Sequence, residues 1–426
     1  MILPGYYEFC CRVKTVSGHR ALENIPEALL AMHSRRPMII SDRGVAGAGL
    51  ISLVTGAMKP KKGGKGVAIG AVYDSVLPDS DIRMVEDIAK IYREKKCDSI
   101  IAIGGGSVLD TAKGVNILVS LGGDSLMRYA GAGAVKKKLR PLIAVPTTSG
   151  TGSEMTLVAV IADHERRVKL PFTSYFLLPD IAVLDPRMTK TLPPALTAST
   201  GMDAMTHACE AYTCLAKNPL SDTTALAAIQ LISQNLLKAV KKGDDLESRL
   251  ALANGSALAG MSFSNSMVGM VHTIGHATGG ACGVPHGTCM SILLPYGLEY
   301  NLHKTAHLTA DLLYPLAGAG VYAATPAKER AVKAIACIRR LNQDLHDSTG
   351  GRHARCLREV VDRDGKQMVP KEALPAIART AMGDGSQFYN PEELDYRDFM
   401  MVLEHAWEGT PLDLKKVIRG KKGQKF

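Results

Sequence analysis

One segment restricts the fold more than any other: an apolar run that passes through three glycines into a helical pattern. Gly104, Gly105 and Gly106 let the backbone approach a ligand closely. The helix start that follows offers free N–H groups and a positive dipole end, which together suit a pyrophosphate. We predict that Ser107 caps this helix and that Asp110 lies in its first turn. A tight strand–helix turn without a ligand is the alternative interpretation.

The surrounding pattern predicts an α/β domain. The glycine turn departs from G-x-G-x-x-G and follows the third strand-like run, not the first, so it predicts a variant dinucleotide-binding fold. The earlier runs, 37–42 and 67–72, are typical of buried strands, and 79–95 has helical periodicity. Short apolar runs that alternate with helical patterns predict a mostly parallel sheet.

The character of the sequence changes at Pro193-Pro194. Beyond this step helical patterns dominate, for example at 223–240, 247–261 and 328–345. We therefore predict an α/β dinucleotide-binding domain at residues 1–192 and an all-helical domain at 193–426, with the Pro-Pro step as the hinge.

Two further features of the first domain suit contacts to a cofactor. A strand-like run at 142–145 leads into a loop whose hydroxyl side chains can bond to phosphate, ribose or nicotinamide, among them Thr147 and Thr148. Asp42 follows an early strand, where it could accept hydrogen bonds from both ribose hydroxyls and repel a 2′-phosphate, selecting NAD over NADP. The alternatives are an ordinary loop for 147–153 and a helix cap or turn for Asp42.

The second domain carries a carboxylate and several imidazoles at helical spacing. Asp203 and His207 are four residues apart, as are His272 and His276, and His286 follows a turn with Gly and Pro. If both segments are helical, each pair lies on one face. Such groups, converging from two helices and a turn, make a divalent-metal site. Any one of these histidines alone is more often a core or surface residue, and spacing does not decide which of the five candidates bind.

Composition limits where this protein works. The chain shows no basic segment followed by an apolar run at its start, and no apolar run reaches the ~18 residues of a membrane helix, so we expect neither a signal peptide nor a membrane span. Nine cysteines without a C-x-x-C pair indicate reduced thiols in a cytoplasmic protein.

The formal net charge is +10. Much of it comes from three clusters: Lys59, Lys61, Lys62 and Lys65; Lys136, Lys137, Lys138 and Arg140; and Lys415, Lys416, Arg419, Lys421, Lys422 and Lys425. Such clusters can attract nucleic acid. Because no aromatic interleaving or nucleic-acid motif accompanies them, we expect solvated loops and no nucleic-acid partner.

The ordered motifs carry a family resemblance over nearly the whole chain. The segment from Gly201 to Glu210, the pair His272-xxx-His276 and the sequence Pro285-His286-Gly287 resemble the iron-containing, or group III, alcohol dehydrogenase family. The resemblance implies that the metal ligands are Asp203, His207, His272 and His286. It places His276 near the nicotinamide and the substrate without ligation, and we assign this residue to proton relay or nicotinamide contact.

The resemblance also implies the cofactor contacts. The matching segment, which includes Gly104 to Ser107 and Asp110, binds the pyrophosphate, and the positions of Thr147 and Thr148 contact the cofactor. Lys169 is expected near the ribose or the phosphates. In the family an Asp at the position of Asp42 goes with NAD. The turn at Asn390-Pro391 receives only a packing role.

We therefore expect a metal-dependent, NAD-linked alcohol dehydrogenase or aldehyde reductase with a fold similar to that of dehydroquinate synthase. The metal would act as a Lewis acid on the substrate oxygen. Ligand type admits iron(II), zinc or nickel, and the resemblance favours iron(II), with zinc as the alternative. A lyase that uses NAD transiently and a non-catalytic nucleic-acid-binding protein are the rival functions. The expected partners are a small alcohol or aldehyde and further copies of the chain, as a dimer or larger.

Overall fold

A computed structural model describes residues 4–59, 66–166 and 168–417. These residues form two compact units. The α/β unit comprises Cys10–Leu192 and Asp244–Ser264, and the helical unit comprises 4–9, Pro193–Gly243 and the chain from residue 265 onward. The segment Asp244–Ser264 thus belongs to the α/β unit. The predicted single boundary between residues 192 and 193 would have assigned this segment to the helical domain. The two functional domains remain a prediction.

The described residues include nine strands and fourteen α-helices, and a further helical segment begins at residue 414. The strands are β1 (Lys14–Ser17), β2 (Pro37–Ile40), β3 (Ala71–Tyr73), β4 (Ser99–Gly104), β5 (Gly131–Ala132), β6 (Leu142–Pro146), β7 (Val158–Asp163), β8 (Val168–Thr173) and β9 (Ile181–Leu184). The helices are α1 (Ile25–Ala31), α2 (Arg43–Gly47), α3 (Leu50–Ala57), α4 (Ile82–Glu94), α5 (Gly106–Leu121), α6 (Pro194–Thr213), α7 (Pro219–Lys241), α8 (Leu246–Ser264), α9 (Met270–Cys282), α10 (His286–Asp311), α11 (Leu313–Ala324), α12 (Arg330–Ser348), α13 (Leu374–Ala381) and α14 (Tyr396–Glu408).

The α/β unit is organised on a six-stranded sheet in the order β1-β9-β6-β4-β2-β3, and every neighbouring pair is parallel. A smaller sheet has the order β5-β8-β7, with β7 antiparallel to β8. Strands β2, β4, β6 and β9 are buried along their whole length, as expected of a parallel sheet covered on both faces. The predicted mostly parallel α/β fold is confirmed.

Alternate residues of the central strands pack into two separate cores. Ile100 and Ala102 of β4 pack with residues of α4 and α5, whereas Ile101 and Ile103 pack with residues of α1 and α3. Since successive side chains of a strand point to opposite faces, the helices cover both sides of the sheet. The carboxyl ends of the parallel strands then lie at one edge, where Asp42 follows β2 and the glycines follow β4.

One predicted strand is shorter than expected. The run 67–72 predicts a strand, but β3 begins at Ala71, which pairs with Met38. The N–H groups of Ala68 and Gly70 bond instead to the carbonyls of Arg35 and Pro37, at 3.2 and 2.8 Å. Because β2 begins only at Pro37, the residues before Ala71 have no strand beside them to continue the ladder.

The helical unit is arranged around α6, whose residues from 201 to 213 are all buried. Helix α6 packs against α7 and α10, and α9 packs against α10 and α13. A second core joins α9, α10, α13 and α14. The predicted helical character of the chain beyond the Pro-Pro step is confirmed.

Several sequence features fall outside the described residues. These are most of the lysine–glycine loop, with Lys61, Lys62 and Lys65, and most of the basic tail, with Arg419, Lys421, Lys422 and Lys425. Lys136, Lys137, Lys138 and Arg140 are exposed on the segment that precedes β6. None of the helices in the described ranges combines the length and the apolar character that a bilayer crossing requires.

Candidate metal centre

Four side chains from three helices of the helical unit converge on one point. Asp203 and His207 lie one turn apart on α6, His272 lies in the first turn of α9, and His286 is the first residue of α10. Each offers one ligand atom, and these atoms all lie within 4.8 Å of one another. The Nε2 atom of His286 is 3.3 Å from Oδ1 of Asp203, and the rings of His207 and His272 stack with centroids 4.6 Å apart.

Glycine allows α6 and α10 to approach closely at this point. A Cβ atom added to Gly287 would lie 2.6 Å from the carbonyl oxygen of Ser199, which is too close for any side chain. The sequence Pro285-His286-Gly287 therefore does two things: Pro285 has the extended conformation that precedes a helix, and Gly287 lets the helix start lie against α6. His286 is held at the site by this packing.

Burial divides the site into an inner and an outer part. Asp203, His207 and His272 are buried, whereas the side chain of His286 is 39% exposed. Burial lowers the pKa of His207 to about 3 and that of His272 well below its usual value. For Asp203 burial opposes ionisation, but His207 and His286 beside it hold its pKa below the usual range. At neutral pH the inner site therefore presents two neutral imidazoles and a carboxylate, the protonation states that metal binding needs.

The donor set fits a divalent transition metal. Within the part of the chain that the structure describes, Nε2 of His272 is buried and has no hydrogen-bond partner. A buried polar atom of this kind calls for a partner, and a cation among three nitrogens and one carboxylate oxygen would supply it. Such a set suits iron(II) or zinc(II) by ligand type.

Two carboxylates next to the site were not singled out by the sequence patterns. Glu210, on α6, lies with Oε2 2.5 Å from Nδ1 of His272, and burial raises its pKa to about 7. Asp384, in the loop after α13, lies with Oδ2 2.8 Å from Nδ1 of His276. Glu210 stood one helical turn beyond His207, which could have drawn attention to it. Asp384 is 108 residues from its histidine and gave no local signal.

His276 lies beside the four candidate ligands and not among them. Its ring is stacked on that of His286 with centroids 5.4 Å apart, and its side chain is 44% exposed. The position is compatible with the predicted relay or nicotinamide contact, which remains a prediction.

In the α/β unit the structure brings the two predicted cofactor loops together. The N–H of Thr147 donates to the carbonyl of Gly104 at 3.1 Å. A Cβ atom on Gly105 would lie 3.3 Å from Oγ1 of Thr148, and one on Gly106 would lie 2.8 Å from Cγ2 of Thr151. Side chains at positions 105 and 106 would therefore crowd the threonines of the second loop whether or not a ligand is present.

The predicted start of α5 is wrong in two respects: Ser107 does not cap the helix, and Asp110 lies beyond its first turn. Gly105 is the N-cap residue and no side chain caps the helix. Ser107 lies inside the first turn, and its Oγ accepts a hydrogen bond from the N–H of Asp79 at 3.4 Å. Since the third glycine is already helical, Ser107 comes two residues too late to cap. The N–H groups at this helix start are not covered by a side-chain cap, as an anion site requires.

The other predicted cofactor residues have protein partners. Asp110 accepts from Oγ of Ser153 at 2.6 Å and from the N–H of Val160 at 2.9 Å, so it braces the second loop. Lys169 pairs with Asp79 at 2.7 Å, next to Ser107. Their cofactor roles remain predictions.

Asp42 caps α2, with Oδ1 accepting from the N–H of Val45 at 2.8 Å. The capping alternative considered for Asp42 is thus observed, and it occupies one carboxylate oxygen. The predicted contact to the ribose would be made by the other oxygen and remains a prediction.

Comparisons with known proteins agree with the donor set. The chain matches the model of iron-containing alcohol dehydrogenase over residues 13–186 and that of the Fe-containing alcohol dehydrogenase family, C-terminal, over 197–407. It is 34% identical over 396 residues to 1,3-propanediol dehydrogenase of Klebsiella pneumoniae, covering 92% of this chain and 96% of that protein. It is 31% identical over 396 residues to NAD-dependent methanol dehydrogenase of Bacillus methanolicus, covering 92% and 97%.

A solved structure gives the same result for the fold. Alcohol dehydrogenase from Oenococcus oeni matches with a TM-score of 0.86 at 31% identity, over 94% of this chain and 100% of that one. The two family models together span most of the chain, and the C-terminal one includes all four candidate ligands. The chain belongs to the iron-containing alcohol dehydrogenase family and is an oxidoreductase.

Proposed function

We propose that this enzyme oxidises small alcohols, or reduces the corresponding aldehydes, with NAD and one divalent metal ion held by Asp203, His207, His272 and His286. The observation that carries the proposal is the convergence of these four ligand atoms within 4.8 Å. We favour iron(II) because of the family to which the chain belongs, with zinc(II) as the alternative.

The chain's own residues prepare the site. Burial keeps His207 and His272 neutral, so their lone pairs are available to a cation, and Asp203 contributes the negative charge. A bound metal would supply Lewis acidity toward the alcohol oxygen and NAD would accept the hydride. The oxidation also releases the hydroxyl proton, which needs an acceptor. We propose that His276 takes this proton at Nε2. In support, its Nδ1 lies 2.8 Å from Oδ2 of Asp384 and its side chain is 44% exposed.

We propose that the cofactor lies on the two loops at the carboxyl ends of β4 and β6. Gly104, Gly105, Gly106 and Ser107 would bind the pyrophosphate at the start of α5, a sixteen-residue helix whose dipole favours an anion. Thr147 and Thr148 would contact the nicotinamide side, and Lys169 the ribose or phosphates. Asp110 would act by bracing the second loop.

Asp42 supports NAD as the cofactor. Its remaining oxygen can accept from ribose hydroxyls, and a 2′-phosphate beside this carboxylate would be repelled. A relative over nearly the whole chain is an NAD-dependent methanol dehydrogenase. We also propose that the enzyme works in the cytoplasm as a dimer or larger homo-oligomer, without a nucleic-acid or membrane partner.

The test is a turnover assay with metal-stripped protein. A panel of primary alcohols and diols is offered with NAD or with NADP, while iron(II) or zinc(II) is added anaerobically or withheld. We expect metal-dependent reduction of NAD that His272→Ala abolishes. The matched control is His307→Ala, which changes an exposed histidine on α10 and should leave turnover intact.

Two results would contradict the proposal. Equal turnover in metal-stripped and metal-loaded protein would remove the metal from the reaction. Tight binding of metal and NAD without net cofactor reduction in either direction would favour the lyase alternative. Preference for NADP would contradict only the interpretation of Asp42.

A further inference from the structure

Helix α9, which carries His272, has no capping side chain of its own. Its N-cap residue is Gly269, and the first N–H groups of a helix have no partner within the helix. Two side chains from elsewhere supply the acceptors. Oδ1 of Asn390 accepts from the N–H of Met270 at 3.2 Å, and Oε1 of Glu210 accepts from the N–H of Val271 at 2.8 Å.

Gly269 leaves room for both acceptors. A Cβ atom at this position would lie 3.0 Å from Oδ1 of Asn390 and 3.3 Å from Oε1 of Glu210. Asn390 is held in turn by Asn301, whose Nδ2 donates to the same Oδ1 at 2.9 Å. The turn at Asn390-Pro391, to which only a packing role was assigned, therefore caps the helix that carries a candidate ligand.

Glu210 has a second contact that Asn390 lacks. Its Oε2 lies 2.5 Å from Nδ1 of His272 and 3.3 Å from the N–H of the same residue. A carboxylate that already accepts from backbone N–H groups favours a proton on Nδ1, and the lone pair of the ring is then on Nε2. That atom is the buried one without a hydrogen-bond partner among the described residues.

We propose that Glu210 is the positioning residue of the metal centre: it fixes His272 in the tautomer and orientation that present Nε2 to the ion. The inference rests on the proposed metal site and extends it by a residue that touches no substrate or cofactor. Helix α6 then supplies two ligands and the support of a third, because positions 203, 207 and 210 follow one face of a helix.

The test separates positioning from helix capping by comparing two variants of the full chain. Glu210→Gln keeps the size of the side chain but replaces one carboxylate oxygen with an NH2 group. This donor then faces the N–H groups of Val271 and His272 or Nδ1 of His272, all of which Glu210 meets with an acceptor. Asn390→Ala removes the other cap of α9 and leaves the contact to His272 in place. After metal removal, zinc(II) affinity is measured by competition with a chromophoric chelator, and folding is checked by circular dichroism and thermal denaturation.

We expect both variants to melt at lower temperature, but only Glu210→Gln to lose zinc affinity, by about 10- to 100-fold, as is typical for partners of metal-ligating histidines. Wild-type affinity in Glu210→Gln, or an equal loss in Asn390→Ala, would overturn the inference while leaving the metal site intact. Absence of zinc binding by the wild-type protein would instead overturn the proposed metal site itself.

A measurement on the unmodified chain covers the case in which Glu210→Gln does not fold. Nitrogen-15 spectra of histidine-labelled apo-protein report which ring nitrogen carries the proton, and the His272 signals are those lost in His272→Ala. We expect the proton on Nδ1 and a change at Nε2 when zinc(II) is added. A proton on Nε2 in the apo-protein would overturn the inference.

Discussion

A buried carboxylate in the second cofactor loop allows a quantitative test of the structure. Glu154 lies on the short turn Ser153–Met155 and is almost fully buried, and its Oε1 has no hydrogen-bond partner within the described residues. Lys113 is nearby, but its ammonium donates to Oγ of Ser153 and to the carbonyls of Thr156 and Val158. Burial therefore raises the pKa of Glu154 to about 7, although its own N–H and Lys113 oppose the change.

The sign of the effect on stability follows from where the protons bind. Between about pH 4.5 and 7 the unfolded chain has lost the proton while the folded protein still holds it, so the free energy of unfolding falls as pH rises. Each pKa unit corresponds to about 1.4 kcal/mol, which gives a loss of about 3 kcal/mol that is complete above pH 7. Glu154→Gln cannot ionise and should not show this loss.

The assay is urea-induced unfolding of both proteins at about pH 5 and about pH 8, followed by circular dichroism. Relative to the wild type, Glu154→Gln should gain about 2–3 kcal/mol between the two pH values. Glu94→Gln, at an exposed side chain at the end of α4, is the matched control and should show no such gain. A difference between variant and wild type that stays constant or falls with pH would refute the reasoning.

Two further predictions concern packing in the α/β unit. Lys113→Met should lower the free energy of unfolding by about 3–5 kcal/mol in urea, because it leaves the carbonyls of Thr156 and Val158 without this donor and buried acidic groups without their cation. A loss below about 1 kcal/mol would contradict this account. Gly152→Ala should cost about 1–3 kcal/mol in thermal denaturation, since its Cβ would lie 2.6 Å from Cα of Gly260 at a positive φ of 60°. Gly47→Ala, with open space around it, is the control, and equal effects in both would contradict the packing argument.

The fold class could be predicted because it depends on sequence patterns within short segments. Apolar runs that alternate with helical patterns predict a parallel sheet. The change from alternating to mainly helical patterns at Pro193 marks the start of the helical part of the sequence. The boundaries were less certain: the run 67–72 looked like a strand, yet β3 starts at Ala71 because the neighbouring strand β2 starts only at Pro37. Hydrophobicity shows that a segment is buried, whereas its pairing depends on a partner elsewhere in the chain.

The candidate site was also predicted only in part from the sequence. Helical spacing paired Asp203 with His207 and His272 with His276, because residues four apart share a face. Spacing alone did not distinguish the two members of the second pair. The structure places His272 in the buried group and His276 against Asp384, and this difference depends on how α9 packs.

The sequence by itself determined the family, the parallel α/β fold, the helical character that follows it and the residue types of a metal centre, since all of these are carried by short motifs and periodic patterns. Only the tertiary structure decided which atoms meet. The contact of Glu210 with His272 spans 62 residues and that of Asp384 with His276 spans 108. Such contacts follow from the packing of whole helices, which no local pattern encodes.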